Sequence, residues 1–425
     1  MENYIIRRST KHNDDKNLNK LFTPVFFPEE VGQFAEVLYN YFPGQEKRYW
    51  FIAEEKTSSH IVSAFTLIPW FWRMKGIQLK VAEMGLVATH EAHRGKGLMR
   101  LLNSEFDRTV QNEQFDLAVI QGIPGFYHNF GYHYAVTLDN HVNLPLQSVT
   151  DSFGHRDFSF RTAEDKDIAF LMEEDKRYGN SFFITSARDE QRFRYMLHEG
   201  TLTDTVSDFI IMEDSAKNRK YYFRINHKGF GTGLILSETS AGMDYEAICS
   251  MLRYCKKTAI DRNKPYIRIN LHHRSEVAKT ALYLGAKGSF RYAWQIKIPD
   301  EIMLLKKMAA ILEERISKSI FSGFTGRYRL NLFTRCIDMT WNEGRLQEVH
   351  PGNEPECEHT LNIGQDLLPA LMLGHRTWKE LQYIRPDVAP ETMYLFPTEE
   401  SLSDKTGMLT DVLFPAEDSW VYCQY

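Results

Sequence analysis

The chain has 425 residues, 43% of them hydrophobic and 25% charged, which is the balance of a globular protein too long for one ordinary core. Its net charge of -5 excludes the broad basic surface of a general nucleic-acid or anionic-membrane binder, so any basic site is local. Five cysteines (Cys249, Cys255, Cys336, Cys357 and Cys423) show no CxxC or His-paired spacing; reduced thiols, no metal and a cytoplasmic protein are expected rather than a disulfide frame. The first residues lack the apolar core of a signal peptide, and no apolar run reaches the ~18 residues of a membrane span.

Three blocks follow one another. Residues 1–155 read as strands and helices interleaved: YWFIAEE, HIVSAFTLIPWFW, LKVAEMGLVAT and DLAVIQGI have strand composition, and GLMRLLNSEFDRTVQN has helical spacing. Residues 156–300 repeat that order with helices at AEDKDIAFLMEEDKRY, YEAICSMLRYCKKTAI and SEVAKTALYLGAK and strands at KYYFRINHKGFGTGLIL and YIRINLH, as an internal duplication would. Residues 301–425 open with the helix DEIMLLKKMAAILEERISKSI; two strands follow in GRYRLNLFTRCIDMTWNEG, with a turn signal at Asn342, Glu343 and Gly344. The expected fold class is α/β with mixed α+β sheets.

The segment EAHRGKGLMRLL, residues 91–102, lies between a strand ending near Thr89 and a helix starting near Leu98. Such a glycine-bearing turn aims free backbone N–H groups along the positive end of the helix dipole, and Arg94 and Lys96 add fixed charge, so a pyrophosphate fits there. A plain surface loop with solvated basic residues is the other meaning of the same stretch. Neither a Walker loop nor a G-x-G-x-x-G fingerprint has this spacing.

The spacing R-x-x-G-x-M resembles the R/Q-x-x-G-x-G/A signature of the GNAT acetyltransferases. Arg94 and Gly97 match its first two fixed positions, and Met99 stands where Gly or Ala is usual. The resemblance implies acetyl-CoA as co-substrate, held by Leu86, Val87, Thr89, Arg94, Gly95, Lys96, Gly97, Leu98 and Met99. GFYHNFGYHYA, residues 125–135, resembles the family segment Y-x-x-x-G-F/Y, with Tyr127 placed to protonate the leaving thiolate; alone, such a tyrosine is more often a packed aromatic. Over its whole length the chain resembles the Eis-type bacterial N-acetyltransferases. That likeness implies two tandem GNAT-like domains, the second (156–300) without a coenzyme motif, then a sterol-carrier-like domain, and self-association into a homo-oligomer.

Direct transfer to an amine needs a base. The resemblance offers the main-chain carboxylate of Tyr425; Glu83, on a core strand, is the alternative, and the two stay open. Backbone N–H groups from Leu86 to Thr89 would hold the oxyanion. Trp70 and Trp72 would wall a small cationic amine by cation–π contact, or else belong to the core. His90, His93, His128 and His133 flank the site as surface contacts. No nucleic-acid or membrane partner is expected. The competing function is a lipid-binding or scaffolding protein with a vestigial acetyltransferase domain.

Overall fold

The computed structural model describes residues 3–150, 158–214, 219–352, 357–391 and 404–425. The boundary expected at residue 155 lies outside them. Among the described residues the fold is mixed α/β, with helices packed on three sheets of eight, seven and five strands.

The first sheet begins with β1 (Tyr4–Arg8), followed by helices α1 (Asp14–Phe26) and α2 (Val31–Tyr41) and then the meander β2 (Trp50–Glu55), β3 (Ile61–Met74) and β4 (Ile77–Thr89). Helix α3 (Leu98–Asn112) carries the chain to β5 (Leu117–Ile120), which runs parallel to β4, and β6 (His133–Asp139) closes the far edge. Between β5 and β6, antiparallel to both, sits the strand Tyr292–Lys297, while Ile184–Ser186 pairs with the end of β3.

The second sheet has a similar plan. An antiparallel set, Ser159–Thr162, Ser207–Asp214, Arg219–Asn226 and Leu234–Thr239, leads through helix Tyr245–Asp261 to the parallel strand Tyr266–Ile269. Its neighbour there is Val142–Pro145, which comes from the first block. The first two sheets therefore exchange strands across the division expected at 155. The first takes Tyr292–Lys297 and Ile184–Ser186 from residues 156–300 and the second takes Val142–Pro145 from residues 1–155; Tyr292–Lys297 and Val142–Pro145 cover the edges of β5 and Tyr266–Ile269 that their parallel neighbours leave bare.

The third sheet holds Gly326–Asn331, Cys336–Asn342, Arg345–Pro351, His359–Asn362 and Ala389–Pro390. The Asn342–Gly344 signal joins Cys336–Asn342 to Arg345–Pro351, with Glu343 and Gly344 both at positive φ (47° and 76°), as a two-residue hairpin turn of that kind requires. The helix expected over 300–320 is two helices, Glu301–Lys307 and Ala309–Ser317, meeting at Met308.

Side-chain alternation divides the first sheet. Phe65, Leu67, Ala82 and Met84 face α3 with Leu102 and Phe106; Trp70, Trp72, Leu79 and Val81 face α1 and α2 in a core that continues into the other sheets. No helix among the described residues is long and apolar enough to cross a membrane.

Trp294, on the inserted strand, is 1% exposed and meets Trp70 and Trp72 edge-on at 5.6 and 5.4 Å. Trp294→Ala is expected to cost ~3–5 kcal/mol of unfolding free energy through the lost burial and the cavity left behind. The midpoint of denaturant unfolding measures it.

Candidate active site

The turn after β4 is built as its sequence suggests. Glu91–His93 form one 3-10 turn; Gly95 and Gly97 then take left-handed φ values of 73° and 74°, a conformation that side chains other than glycine enter at a cost. Helix α3 begins at Leu98 with Gly97 as its cap, and no side chain caps its first N–H groups. Those donors and the dipole end are left for an anion. Arg94, Gly95, Lys96 and Gly97 are exposed around them, Arg94 Nε donating to Thr89 O at 3.3 Å. Leu98 is buried under the helix and Met99 half-buried against the α3-side core, so the backbone of this pair, rather than its side chains, faces the turn. The corresponding helix of the second sheet is different: Asp244 caps it, accepting from Ala247 N–H at 2.9 Å, and this carboxylate both fills the anion position and repels an anion.

β4 and β5 part beside this turn. Their ladder runs from Val81–Leu117 to Glu83–Val119 and stops. Beyond it β4 bulges, with Leu86 at φ 54° and the pairing to β3 shifting register between Ala64 and Thr66. The half-exposed segment Gly85–Val87 thus borders the gap between the two strands. Thr89 ends β4 with its hydroxyl 2.8 Å from Ser63 Oγ.

Tyr127 begins a short 3-10 turn after β5 and is buried on the α3 face, its ring against Gly122; a Cβ there would lie 2.2 Å from the ring, so glycine is required. Burial pushes its phenol up to about 12, which keeps the proton on.

Glu83 points to the opposite face. It is 2% exposed, and burial pushes its carboxyl up to about 8. Oε1 accepts from Gln121 Nε2 at 3.1 Å and from the Tyr425 hydroxyl at 3.2 Å, while Oε2 is buried with no protein partner. Tyr425 therefore reaches Glu83 with its phenol. Its main-chain oxygen is engaged elsewhere, accepting from Arg224 Nη2 at 2.9 Å.

Trp70 and Trp72, expected to wall the substrate, are both fully buried. Alternation on β3 turns them into the core, where Trp294 covers them; Trp70 also meets the Tyr425 ring at 5.5 Å, and neither offers a free face to an amine. The aromatic surround of Tyr425 comes instead from α2 and the residue after it, Phe34 and Phe42, at 5.2 and 6.4 Å. The flanking histidines are structural: His90 caps the 3-10 turn, His93 meets the Tyr4 hydroxyl at 2.9 Å, and His128 packs edge-on to His133 and Tyr134.

Ligand atoms of His272, His273 and Asp418 lie within 4.8 Å of one another, away from this site. The Arg274 guanidinium pairs with Asp418 and the Arg274 N–H donates to His272 Nδ1, so the charge of Asp418 and one lone pair of His272 are already committed.

A family profile described as an acetyltransferase (GNAT) domain matches residues 7–135. The chain carries a GNAT acetyltransferase domain. The GNAT match spans the turn, Glu83 and Tyr127, and makes the protein an acetyltransferase of that class. Whole-chain fold similarity extends to a GCN5-related N-acetyltransferase from Anabaena variabilis (14% identity, TM-score 0.68, 98% of this chain and 99% of that one). A probable N-acyltransferase from Enterococcus faecalis aligns at 11% identity and TM-score 0.69 over 99% of both chains. Eis1 from Mycobacterium abscessus aligns at 11% identity and TM-score 0.62 over 99% of this chain and 100% of that one. At these identities the likeness is one of fold. No curated protein sequence matches the chain.

Glu83 ionises at its ordinary 4.5 in an unfolded chain and near 8 when folded. From pH 4.5 upward the unfolded chain releases a proton that the folded protein keeps, so this group's cost grows with pH and levels off above 8. Glu83→Gln is expected to stabilise the protein little at pH 4 and by ~2–5 kcal/mol at pH 8 and above, read as the difference in melting temperature between variant and wild type across that range.

Proposed function

We propose that the protein transfers the acetyl group of acetyl-CoA directly to a primary amine of a small cationic substrate. The observation that carries this reading is Glu83, buried beside the parting of β4 and β5, with one carboxylate oxygen free and a carboxyl pushed up to about 8. A base tuned near neutrality by burial suits proton removal from an ammonium. The pyrophosphate of the coenzyme would rest on the α3 N-terminus with Arg94 and Lys96, and its thioester arm would run into the gap between the strands.

The amine gives its proton to Glu83, directly or through water, and its lone pair attacks the thioester carbonyl carbon. The developing oxyanion is held by β4 N–H groups between Leu86 and Thr89. The C–S bond then breaks and the sulfur takes the Tyr127 proton, while the second proton of the acylated nitrogen passes through water to the Tyr127 phenolate; neutral amide and free coenzyme A leave, and Glu83 releases its proton to solvent. Within this reading the protein works in the cytoplasm as a homo-oligomer, the second sheet carries no coenzyme, and the last block is a sterol-carrier-like frame.

Coenzyme A release, followed with a thiol reagent over kanamycin, spermidine and a blocked lysine peptide, tests the reading. Turnover with at least one amine is expected, and Glu83→Gln and Tyr127→Phe should each lower it by ~10²–10⁴ while acetyl-CoA still binds. Full turnover in Glu83→Gln would remove Glu83 from the mechanism. Replacing Arg94 and Lys96 with alanine should weaken acetyl-CoA by ~1.5–3 kcal/mol per lost contact at an unchanged melting temperature, as calorimetry reads it.

A further inference from the structure

The residue standing on Glu83 is held from the second sheet. The segment leading to it runs from one sheet to the other: Trp420 N–H donates to Ile184 O at 2.9 Å, the Tyr422 ring stacks on Tyr178 at 4.8 Å, and Gln424 Nε2 donates to Phe71 O at 2.9 Å. At its far end the main-chain oxygen of Tyr425 meets Arg224, which lies on Arg219–Asn226 and is 1% exposed.

Every edge of the Arg224 guanidinium is used. Nε donates to Ser207 Oγ at 2.7 Å, Nη1 to Glu238 Oε1 at 2.8 Å, and Nη2 to Tyr425 O at 2.9 Å. Glu238 also takes Arg188 at 2.8 and 2.9 Å, and Arg188 reaches Asp175. Two arginines thus face two buried carboxylates, and the side-chain charges cancel without Tyr425. The contact with Tyr425 O is therefore not needed to neutralise Arg224. Its effect is on placement. From that fixed oxygen the side chain extends between Phe34, Phe42 and Trp70 to set its hydroxyl between Gln121 and Glu83.

We propose that Arg224 is a positioning residue of the transfer site: by fixing the main-chain oxygen of Tyr425 it holds that residue's phenol as a hydrogen-bond donor to Glu83, so that the second sheet orients the base of the first. This rests on the reading of Glu83 as the base. The groups facing Glu83 are the Tyr425 phenol, the Gln121 amide and, close by, the Cys423 thiol. The phenol's hydrogen bond favours the ionised carboxylate against burial, so losing it raises the carboxyl further.

The test follows the Glu83 carboxyl in full-length protein labelled with δ-¹³C glutamate, its resonance assigned by its absence in Glu83→Gln. Tyr425→Phe is expected to move the titration upward and to lower the ionised fraction at pH 7 about five- to tenfold, the size of one lost hydrogen bond. Arg224→Lys, which keeps the buried charge, should move it the same way and add nothing in a Tyr425→Phe background. An unmoved midpoint in Arg224→Lys, or shifts that add in the double variant, overturns the positioning role. If Arg224→Lys does not fold, Ser207→Ala, which frees Arg224 Nε, must give a smaller shift in the same direction. Turnover retained by Glu83→Gln overturns the base itself, and the positioning role with it. An inactive Glu83→Gln with an unmoved Arg224→Lys midpoint overturns the positioning role alone.

Discussion

The site depends on a strand that arrives from 170 residues downstream. β5 is four residues long and shares a ladder with β4 only as far as Glu83, so on its other side it must find a full partner or expose its backbone groups. Tyr292–Lys297 supplies that partner, and β6 pairs with the same strand from beyond. The insertion also fixes the loop that follows β5. Gln295 Nε2 donates to Gly122 O at 2.8 Å and the Tyr292 hydroxyl donates to the same oxygen at 2.5 Å. That loop carries Gln121 toward Glu83 and Tyr127 toward the α3 face. Non-local pairing of this kind is entropically costly to close, and the buried aromatic cluster around Trp294 is what offsets it.

The bulge in β4 follows from the same arrangement. A regular strand would pair with β5 along its length and leave no gap between the two. Leu86 in the left-handed region turns the backbone instead, at a local cost on the order of 1–3 kcal/mol, and the strand continues to Thr89 paired with β3 alone. The coenzyme-side turn and the Glu83 side chain are thus placed by one strand without competing for its ladder.

The parts of this site that were legible in the sequence are those governed by local chemistry. Gly95 and Gly97 read as a glycine-bearing turn that leaves backbone N–H groups free, Leu98 as a helix start, and Tyr127 as part of a spaced aromatic turn, because short spacings are written in adjacent residues. The α/β order was legible from periodicity, but the exchanged strands were not: Val142–Pro145 and Tyr292–Lys297 have ordinary strand composition, and no local signal says which sheet an apolar segment joins. Trp70 and Trp72 stayed open in the sequence because aromatics on a strand suit a pocket wall and a core equally; burial alone separates them, and both are in the core. Gln121 and Arg224 carried no motif, and their roles come from contacts 38 and 201 positions away.

The two faces of the first sheet also keep two electrostatic demands apart. A phosphate site needs exposed positive charge and free N–H donors, and the α3 turn has both in water. A base for an amine needs the reverse, a carboxylate stripped of water and of cations so that it holds its proton near neutrality. Alternation along β4 puts Ala82 and Met84 toward α3 and Glu83 toward α2, so Arg94 and Lys96 lie across the sheet from it and are not among the causes of its shift. Had Glu83 pointed to the coenzyme face, those cations would have drawn its carboxyl down toward its ordinary range and weakened it as a base. One residue of register on one strand decides the matter. The burial of that register by Tyr425, Phe34 and Phe42 joins the second sheet and α2 to the Glu83 face, while the α3 turn on the other face is built from neighbouring residues alone.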